Sequence, residues 1–221
     1  MMEQAAHLWK EQPIWIIVAA VVVLLLMIVW IIRAIRRHVA RLRRLRLDPR
    51  RITIADIDEM EGWEFERYLH RLFSELGYDD AYKTKDSSDY GADLVFTDRL
   101  GVRNVLQAKR YQASQAIGLD AVQEVYGSMR YYQAERSLVL TSAERFTGSC
   151  QTLAGVNEVK LLGRDDLLFV IRCFKAGRYD EAMDLIESEA DFLTSPWEQE
   201  EQQSEPLQAL LRTGKGAKGR R

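Results

Sequence analysis

The chain has 221 residues, of which 47% are hydrophobic and 29% charged, and its formal net charge at pH 7 is −2. This length allows one domain of ordinary size plus appendages. The spacing of its two cysteines and three histidines fits no zinc site, and the sequence has no glycine-rich phosphate loop, no nucleophilic Ser or Cys motif and no internal repeat. Protein classes built on those motifs are excluded, and Cys150 and Cys173 are expected to be reduced thiols.

Ile14 to Ile32 is a run of 19 residues without a charged side chain. As a helix it would be roughly 28 Å long, close to the thickness of the hydrocarbon core of a bilayer. Trp15 and Trp30 lie near its two ends, where indole rings favour the membrane interface. A cleaved signal peptide and a buried core helix are the alternatives, but the segment lacks a basic n-region and a small-residue cleavage site and is apolar on all sides. We therefore predict a transmembrane helix at residues 14–32.

Basic residues are concentrated on one side of this span. Residues 33–51 contain nine Arg and one Asp, whereas a single Lys precedes the span. Because basic residues remain on the cytoplasmic side of a membrane, we predict a single-pass inner-membrane protein with a short extracytoplasmic N-terminus at residues 1–13 and its main domain in the cytoplasm. Residues 33–57 are predicted to form a basic juxtamembrane helix, ended by Pro49, and then a linker. The arginines would contact anionic headgroups, with nucleic acid as the alternative ligand.

The rest of the sequence alternates between apolar patterns of helical and strand period. Helices are predicted at 63–76, ended by Gly77, at 119–134 with the stripe Leu119, Val122, Val125, Tyr126 and Met129, at about 147–155 and at 165–176; strands are predicted near 81–84, 93–96, 104–109, 137–141 and 159–162. This order predicts an α/β fold at residues 58–176, in which helices flank a mixed sheet. A further amphipathic helix is predicted at 177–193, and composition predicts a disordered tail at 194–221.

One hairpin of this domain has the strongest chemical pattern. Asp93 begins the first strand, and the polar turn Thr97–Gly101 leads into a second strand that ends with Gln107 and Lys109. Gln107 and Lys109 share one face of their strand because strand side chains alternate, and an antiparallel partner can bring Asp93 beside them. A carboxylate, an amide oxygen and an ammonium group would then meet at one end of the hairpin. That arrangement is suited to a divalent metal ion and an activated water.

Asp93 with Gln107-Ala108-Lys109 resembles the D…(E/Q)xK core of the PD-(D/E)xK nucleases. The wider context resembles the catalytic domain of Mrr-type restriction endonucleases across about residues 58–175. The segments that carry the resemblance are Gly62-Trp63-Glu64-Phe65-Glu66, Leu76-Gly77-Tyr78, Asp89-Tyr90-Gly91-Ala92-Asp93, Gln107-Ala108-Lys109-Arg110-Tyr111 and Ala121-Val122-Gln123-Glu124. The resemblance implies a restriction-endonuclease-like fold and hydrolysis of DNA by a metal-activated water, with Mg²⁺ as the cofactor and Mn²⁺ as a substitute.

The resemblance also implies roles for individual residues. The implied catalytic set is Asp93, Gln107, Lys109 and Glu66, and the implied metal ligands are Asp93, Gln107, Ala108 and Glu66. Lys109 would position the water and neutralise charge in the transition state, because an ammonium among carboxylates is a poor free base. Secondary candidates for contacts with metal or substrate are Glu64, Asp89 and Gln123.

Plainer interpretations remain open beside this one. Asp93, Lys109 and Glu66 could be solvated surface residues, and Gln107 stands where related nucleases more often have Glu, which leaves a degenerate, non-cleaving site as the alternative. Residues 52–193 carry 16 basic and 26 acidic side chains, a balance that disfavours binding to a polyanion. The predicted function is a membrane-anchored DNA endonuclease with a restriction or defence role, and a homodimer is a further expectation. The alternatives are a nucleic-acid- or protein-binding module of degenerate nuclease fold and a membrane scaffold.

Overall fold

The computed structural model describes residues 14–46, 48–78, 80–84, 90–195 and 197, and the chain divides into two compact units between residues 47 and 48. In the first unit, helix α1 runs from Ile14 to Arg46 and so extends beyond residue 32. Its segment Trp15–Val39 is long and apolar enough to cross a membrane, judged by length and composition, and its described side chains are exposed. The expectations for residues 1–13 and for nearly all of the tail fall outside the described residues.

Residues 48–57 were predicted to be a linker, and this prediction is wrong. Pro49–Arg51 form a turn of 3-10 helix, and helix α2 follows at Ile54–Asp58. The side chains of Ile52 and Ile57 are 2% and 0% exposed, so this segment belongs to the core of the second unit. Burial of two isoleucines offsets the conformational entropy that a flexible linker would keep.

The second unit is an α/β domain. After α2, its helices are α3 (Gly62–Leu76), α4 (Asp120–Tyr132), α5 (Gly148–Val156), α6 (Arg164–Lys175) and α7 (Tyr179–Glu187). Its strands are β1 (Tyr82–Lys83), β2 (Leu94–Thr97), β3 (Arg103–Lys109), β4 (Ala116–Ile117), β5 (Arg136–Thr141), β6 (Arg145–Phe146) and β7 (Val159–Leu162). In the described part of the chain, β1, β2, β3, β5 and β7 form one sheet in that order, antiparallel as far as β3 and parallel from there, and β4 pairs with β6. The predicted mixed sheet flanked by helices is confirmed.

Helices cover both faces of this sheet. On one face, Val95, Val105 and Val139 belong to a core cluster that includes residues of α4 and α5. On the other face, Phe96 contacts Phe73 of α3, with their ring centroids 5.0 Å apart. Because neighbouring residues of β2 face opposite ways, α3 and α4 lie on opposite faces of the sheet.

The apolar stripe predicted for α4 is partly wrong. Leu119 and Tyr126 are 37% and 47% exposed, and the small side chains of Ala121 and Ser128 are fully buried instead. Small residues add little to an apolar pattern, so periodicity alone underestimates their burial. The face of α4 that meets the sheet is therefore rotated from the predicted one.

The helix predicted at 177–193 ends earlier, at Glu187. Beyond it, the chain is not helical as far as Leu193, whose backbone N–H donates a hydrogen bond to the carbonyl oxygen of Gly155 at 3.0 Å. The Leu193 side chain packs so closely on Gly155 that an added Cβ there would lie 2.6 Å from it. The extended segment thus returns Leu193 to α5.

Candidate active site

The predicted hairpin is present, formed by β2 and β3. Leu94 pairs with Leu106, and the strands remain in register as far as Thr97 and Arg103. The carboxylate of Asp98 accepts the backbone N–H groups of the turn at 2.9 Å, and Gly101 has a φ of +83°, a conformation that glycine adopts without strain. The turn chemistry seen in the sequence therefore specifies this hairpin.

Asp93 immediately precedes β2 and is 5% exposed. Its backbone N–H donates to the carbonyl oxygen of Leu106 at 2.8 Å, and its carboxylate Oδ2 accepts the backbone N–H of Ala108 at 2.7 Å. Its carbonyl oxygen accepts the N–H of Thr84, at 3.0 Å. Backbone hydrogen bonds to Leu106 and Thr84 thus fix the Asp93 backbone, and the Ala108 N–H holds its carboxylate beside the centre of the Gln107-Ala108-Lys109 segment.

Gln107 is 7% exposed, and its Oε1 atom is buried without a hydrogen-bond donor among the described residues. By strand alternation its side chain shares a face with Val105, the face covered by α4. A buried acceptor without a partner costs about 1–3 kcal/mol. Such an atom is rare in a folded protein and is what a metal ion or a bound water would satisfy.

Lys109 lies on the same face, where its Nζ donates to Oε2 of Glu124 in α4 at 2.5 Å. Burial by itself lowers the pKa of Lys109, but the hydrogen bond and charge of Glu124, with the charges of Asp120 and Asp93, outweigh it and raise the pKa above its ordinary value. Lys109 therefore carries a positive charge at neutral pH. Its partner is a residue that the sequence analysis did not select, since it named the neighbouring Gln123.

Gly91 connects the Asp93 segment to α4. Its φ is +91°, and a Cβ added there would lie 2.4 Å from the backbone carbonyl oxygen of Glu124. Only glycine permits this approach between the turn and the helix. The contact sets the position of Asp93 relative to Glu124 and Lys109.

Glu66 is placed differently from the implied site. It lies on α3 and forms an ion pair with Lys83 at 2.7 Å. Lys83 pairs with Leu94, whose side chain faces away from Val95 and the α4 side of the sheet. The structure thus puts Glu66 with Lys83 on the α3 face, whereas Gln107 and Lys109 lie on the α4 face.

The remaining candidates contribute less to a metal site. Glu64 is buried, and its Oε2 accepts the backbone N–H of Glu61 at 2.9 Å, which caps the start of α3. Asp89 lies outside the described residues. Within the described part of the chain, no three His, Cys, Asp or Glu side chains form a group that could hold a metal.

Oxygen atoms suited to a hard cation are nevertheless present at the end of the hairpin. They are the carboxylate of Asp93, the Oε1 of Gln107, which has no donor among the described residues, and the backbone carbonyl of Ala108, which is the only oxygen that this alanine offers. Mg²⁺ prefers oxygen ligands and commonly keeps several waters, so one or two carboxylates and a substrate phosphate suffice. The donor set fits Mg²⁺ or Mn²⁺, with the amide of Gln107 as a neutral ligand.

Comparisons with known proteins bear on the family and the fold of this chain. The restriction endonuclease family model of the Mrr catalytic type matches residues 57–171. No curated protein sequence matches the chain. Among solved structures, similarity is found to the MspJI restriction endonuclease in complex with a 27-mer oligonucleotide, with 19% identity, 61% of this chain and 34% of that chain covered and a TM-score of 0.38. The DNA modification-dependent restriction endonuclease AspBHI is also similar, with 19% identity, 65% and 41% covered and a TM-score of 0.40.

This chain therefore spans only about a third to two fifths of the length of those two endonucleases. The family match is independent of them and includes the whole hairpin, the helix that carries Glu124 and most of α6. Since it covers just over half of the sequence, the chain belongs to the Mrr-type restriction endonuclease family.

Proposed function

We propose that this protein is a membrane-anchored, Mg²⁺-dependent DNA endonuclease whose active site comprises Asp93, Gln107 and Lys109. The observation that carries the proposal is the buried Oε1 of Gln107, which lacks a donor among the described residues at the same hairpin end as the anchored Asp93 carboxylate. An isolated buried acceptor destabilises a fold, so a ligand that uses it explains its presence. Membership of the restriction endonuclease family supplies the reaction, hydrolysis of a DNA phosphodiester.

The residues of the proposed site have different roles in metal binding and in stabilising charge. Asp93 and Gln107, with the carbonyl of Ala108, would hold the cation, which when bound supplies an activated water and polarises the phosphate. Lys109 stays protonated because of its ion pair with Glu124, so it stabilises negative charge on the reacting phosphate instead of removing a proton. Glu124 positions that ammonium group. Glu66 would join the site only if its pair with Lys83 were broken.

A non-catalytic nucleic-acid-binding module is the second candidate. It is favoured by the neutral Gln107, since metal affinity rises with the charge of the ligands. Such a module would bind DNA without cutting it, so a cleavage assay separates the two functions.

The test uses the full-length protein in detergent with supercoiled plasmid, in Mg²⁺, Mn²⁺ or EDTA. Asp93→Asn is the informative variant because an asparagine oxygen can still accept the Ala108 N–H, whereas Asp93→Ala would leave that donor without its acceptor, at a cost of about 1–3 kcal/mol. We expect metal-dependent cleavage by the wild type, loss of cleavage in Asp93→Asn, and wild-type cleavage in Asp165→Asn, an exposed control on α6. Equal cleavage by Asp93→Asn and wild type contradicts the assignment.

The membrane part of the proposal rests on α1. Its apolar segment is followed by the arginines of residues 33–46, which favours a cytoplasmic location for the nuclease domain and an extracytoplasmic N-terminus in the inner membrane. A reporter that is active only in the cytoplasm, fused to the C-terminus, should be active. A fully expressed but inactive fusion contradicts this orientation.

A further inference from the structure

Four tyrosines form a continuous cluster at the edge of the sheet. They are Tyr82 of β1, Tyr90 of the turn before Asp93, and Tyr131 and Tyr132 at the end of α4. Ring centroids are 4.0 Å apart for Tyr90 and Tyr131, 4.9 Å for Tyr131 and Tyr132, and 6.5 Å for Tyr82 and Tyr132. Three of these side chains are nevertheless largely in solvent, since Tyr82, Tyr90 and Tyr131 are 47%, 56% and 61% exposed. The tyrosine cluster is therefore an ordered aromatic surface that the described domain leaves open.

The charge beside the tyrosine cluster is unlike that of the rest of the domain. An open cavity of about 560 Å³ lies against Tyr82, Tyr131 and Tyr132, and its charged lining among the described residues is Lys83 and Arg103, with no acidic side chain. The surrounding residues 52–193 have ten more acidic than basic side chains. Lys83 is paired with Glu66, whereas Arg103 is exposed and donates to the carbonyl oxygen of Tyr132 at 3.2 Å. The cavity thus joins aromatic rings to a local positive charge, which complements an anionic ligand with flat rings.

The tyrosine cluster is also close to the proposed active site along two paths. Tyr90 precedes Asp93 by three residues in the same turn, next to Gly91. Tyr131 follows Glu124 by seven residues on α4, which corresponds to about 10 Å along a helix axis. A nucleic-acid strand advances at least about 3.4 Å per nucleotide, so bases about three nucleotides from a bound phosphate would reach the rings.

We propose that the tyrosine cluster stacks unpaired bases of a nucleic-acid strand whose backbone passes Arg103 on its way to Asp93. The substrate class would then be DNA with a single-stranded segment, such as an overhang or a frayed end, because paired bases inside a duplex do not expose their faces to side chains. Stacking on aromatic rings is tolerant of sequence because every base has a π face. This inference rests on the proposed function for its substrate, although binding and cleavage can be measured separately.

The test measures binding by fluorescence anisotropy in EDTA, with full-length protein in detergent micelles and fluorescein-labelled probes. The probes are an oligothymidylate, a duplex of the same length and an abasic strand of that length. Tyr131→Ala should weaken binding of the oligothymidylate about 5- to 150-fold, the effect of losing one base–aromatic stack. Tyr131→Phe keeps the ring and should remain within about twofold of wild type. Tyr126→Ala removes an exposed tyrosine of the same helix that lies outside the cluster, so its binding should also remain within about twofold of wild type.

The abasic strand separates base stacking from phosphate binding, because it should bind weakly and be insensitive to Tyr131→Ala. The inference is overturned if Tyr131→Ala binds the oligothymidylate as wild type does, if the abasic strand shows the same loss, or if the wild type does not bind the oligothymidylate. The last outcome would leave the tyrosine cluster as a protein-binding surface. Failure of the proposed function looks different, since the protein would bind the strand through Tyr131 but cleave no DNA in Mg²⁺.

Discussion

Replacing Gly91 by alanine should damage this domain far more than the same change at Gly101. Both glycines have positive φ, +91° and +83°, so each alanine suffers comparable backbone strain. At Gly101 nothing lies within 4 Å of an added Cβ, whereas at Gly91 the Cβ would be 2.4 Å from the carbonyl oxygen of Glu124. The two variants therefore share the backbone strain, and only Gly91→Ala adds a steric clash with α4.

The size of the difference follows from these two contributions. A left-handed conformation costs a non-glycine residue about 1–2 kcal/mol, which is the whole effect expected for Gly101→Ala. Overpacking against an immobile group costs a further 1–3 kcal/mol or so, and the Glu124 carbonyl is a backbone atom of α4 that cannot rotate away. Gly91→Ala should thus destabilise the domain by about 2–5 kcal/mol.

Labelling of the two cysteines measures the stability of the α/β domain alone, without a contribution from the membrane helix. The sequence has two, Cys150 and Cys173, and both are fully buried in the α/β domain. Their rate of labelling by a thiol reagent reports the population of the opened domain when opening and closing are fast. The rate should rise about 5- to 30-fold in Gly101→Ala and about 30- to 5,000-fold in Gly91→Ala.

Cleavage should separate the same two variants. Gly101→Ala should lose activity only with its folded fraction, because its turn lies at the far end of the hairpin from Asp93. Gly91→Ala should lose more, since any shift of that turn also moves Asp93 relative to Lys109. Equal labelling rates for the two variants would show that the contact between Gly91 and α4 is not tight in solution, and the reasoning would fail.

Three more predictions concern the core, the thiol and the motif. Leu106 is fully buried on the face opposite Gln107, so Leu106→Ala should destabilise the domain by about 2–5 kcal/mol in the labelling assay, and cleavage should fall only with the folded fraction. Burial, with the charge of Asp120, raises the pKa of Cys150 from 9.0 to about 11. The contribution of the neutral buried thiol to the free energy of unfolding is therefore complete below pH 9.0 and is lost as pH rises through about 11. Denaturant titrations across that pH range should show a smaller fall in the free energy of unfolding for Cys150→Ala than for wild type. Gln107→Glu restores the commoner acidic ligand, so it should destabilise the metal-free domain and let Mg²⁺ slow thiol labelling more than in wild type; unchanged Mg²⁺ protection would argue that residue 107 is not a ligand.

The hairpin was predictable from sequence because its determinants are local. Alternation fixes which side chains of β3 share a face, and the turn is set by Asp98 and Gly101, which lie within five residues of both strands. The structure adds what alternation could not give, namely that the Asp93 carboxylate accepts the N–H of Ala108. That bond joins a side chain to a backbone group, so it does not follow from the alternation of side chains along the strands.

The helix residues of the site were less predictable because they depend on which helix covers which face. Glu66 and Glu124 are both acidic residues on amphipathic helices, and nothing local distinguishes them. Only the packing of α3 on the Phe96 face and of α4 on the Val105 face brings Glu124, and not Glu66, to Lys109. Long-range packing therefore determines which acidic helix residue pairs with Lys109, and no local pattern of the sequence gives it.

The segment misread as a linker did contain a usable signal. Thr53 and Asp56 form a reciprocal capping box, with the Thr53 N–H donating to the Asp56 carboxylate at 2.9 Å and the Asp56 N–H donating to Thr53 Oγ1 at 3.3 Å. A threonine followed three residues later by a carboxylate marks a helix start. Asp58 then forms an ion pair with Arg164 of α6 at 2.7 Å, which secures the new helix to the domain.

The charges around the proposed site are compatible with a glutamine at position 107, where Glu is the commoner residue of the motif that this hairpin resembles. With Gln107 neutral, Asp93 is the one carboxylate that the hairpin itself directs at the end of the motif, and the nearby Lys109 ammonium would oppose a bound cation. Glu124 offsets that ammonium at 2.5 Å, so the balance of charge around Asp93 remains negative without a second acidic residue on the strand. A site of this kind holds a divalent ion weakly by itself and gains ligands when a phosphate arrives. In the proposed site, metal and DNA would therefore bind cooperatively, and hydrolysis would occur only with substrate in place.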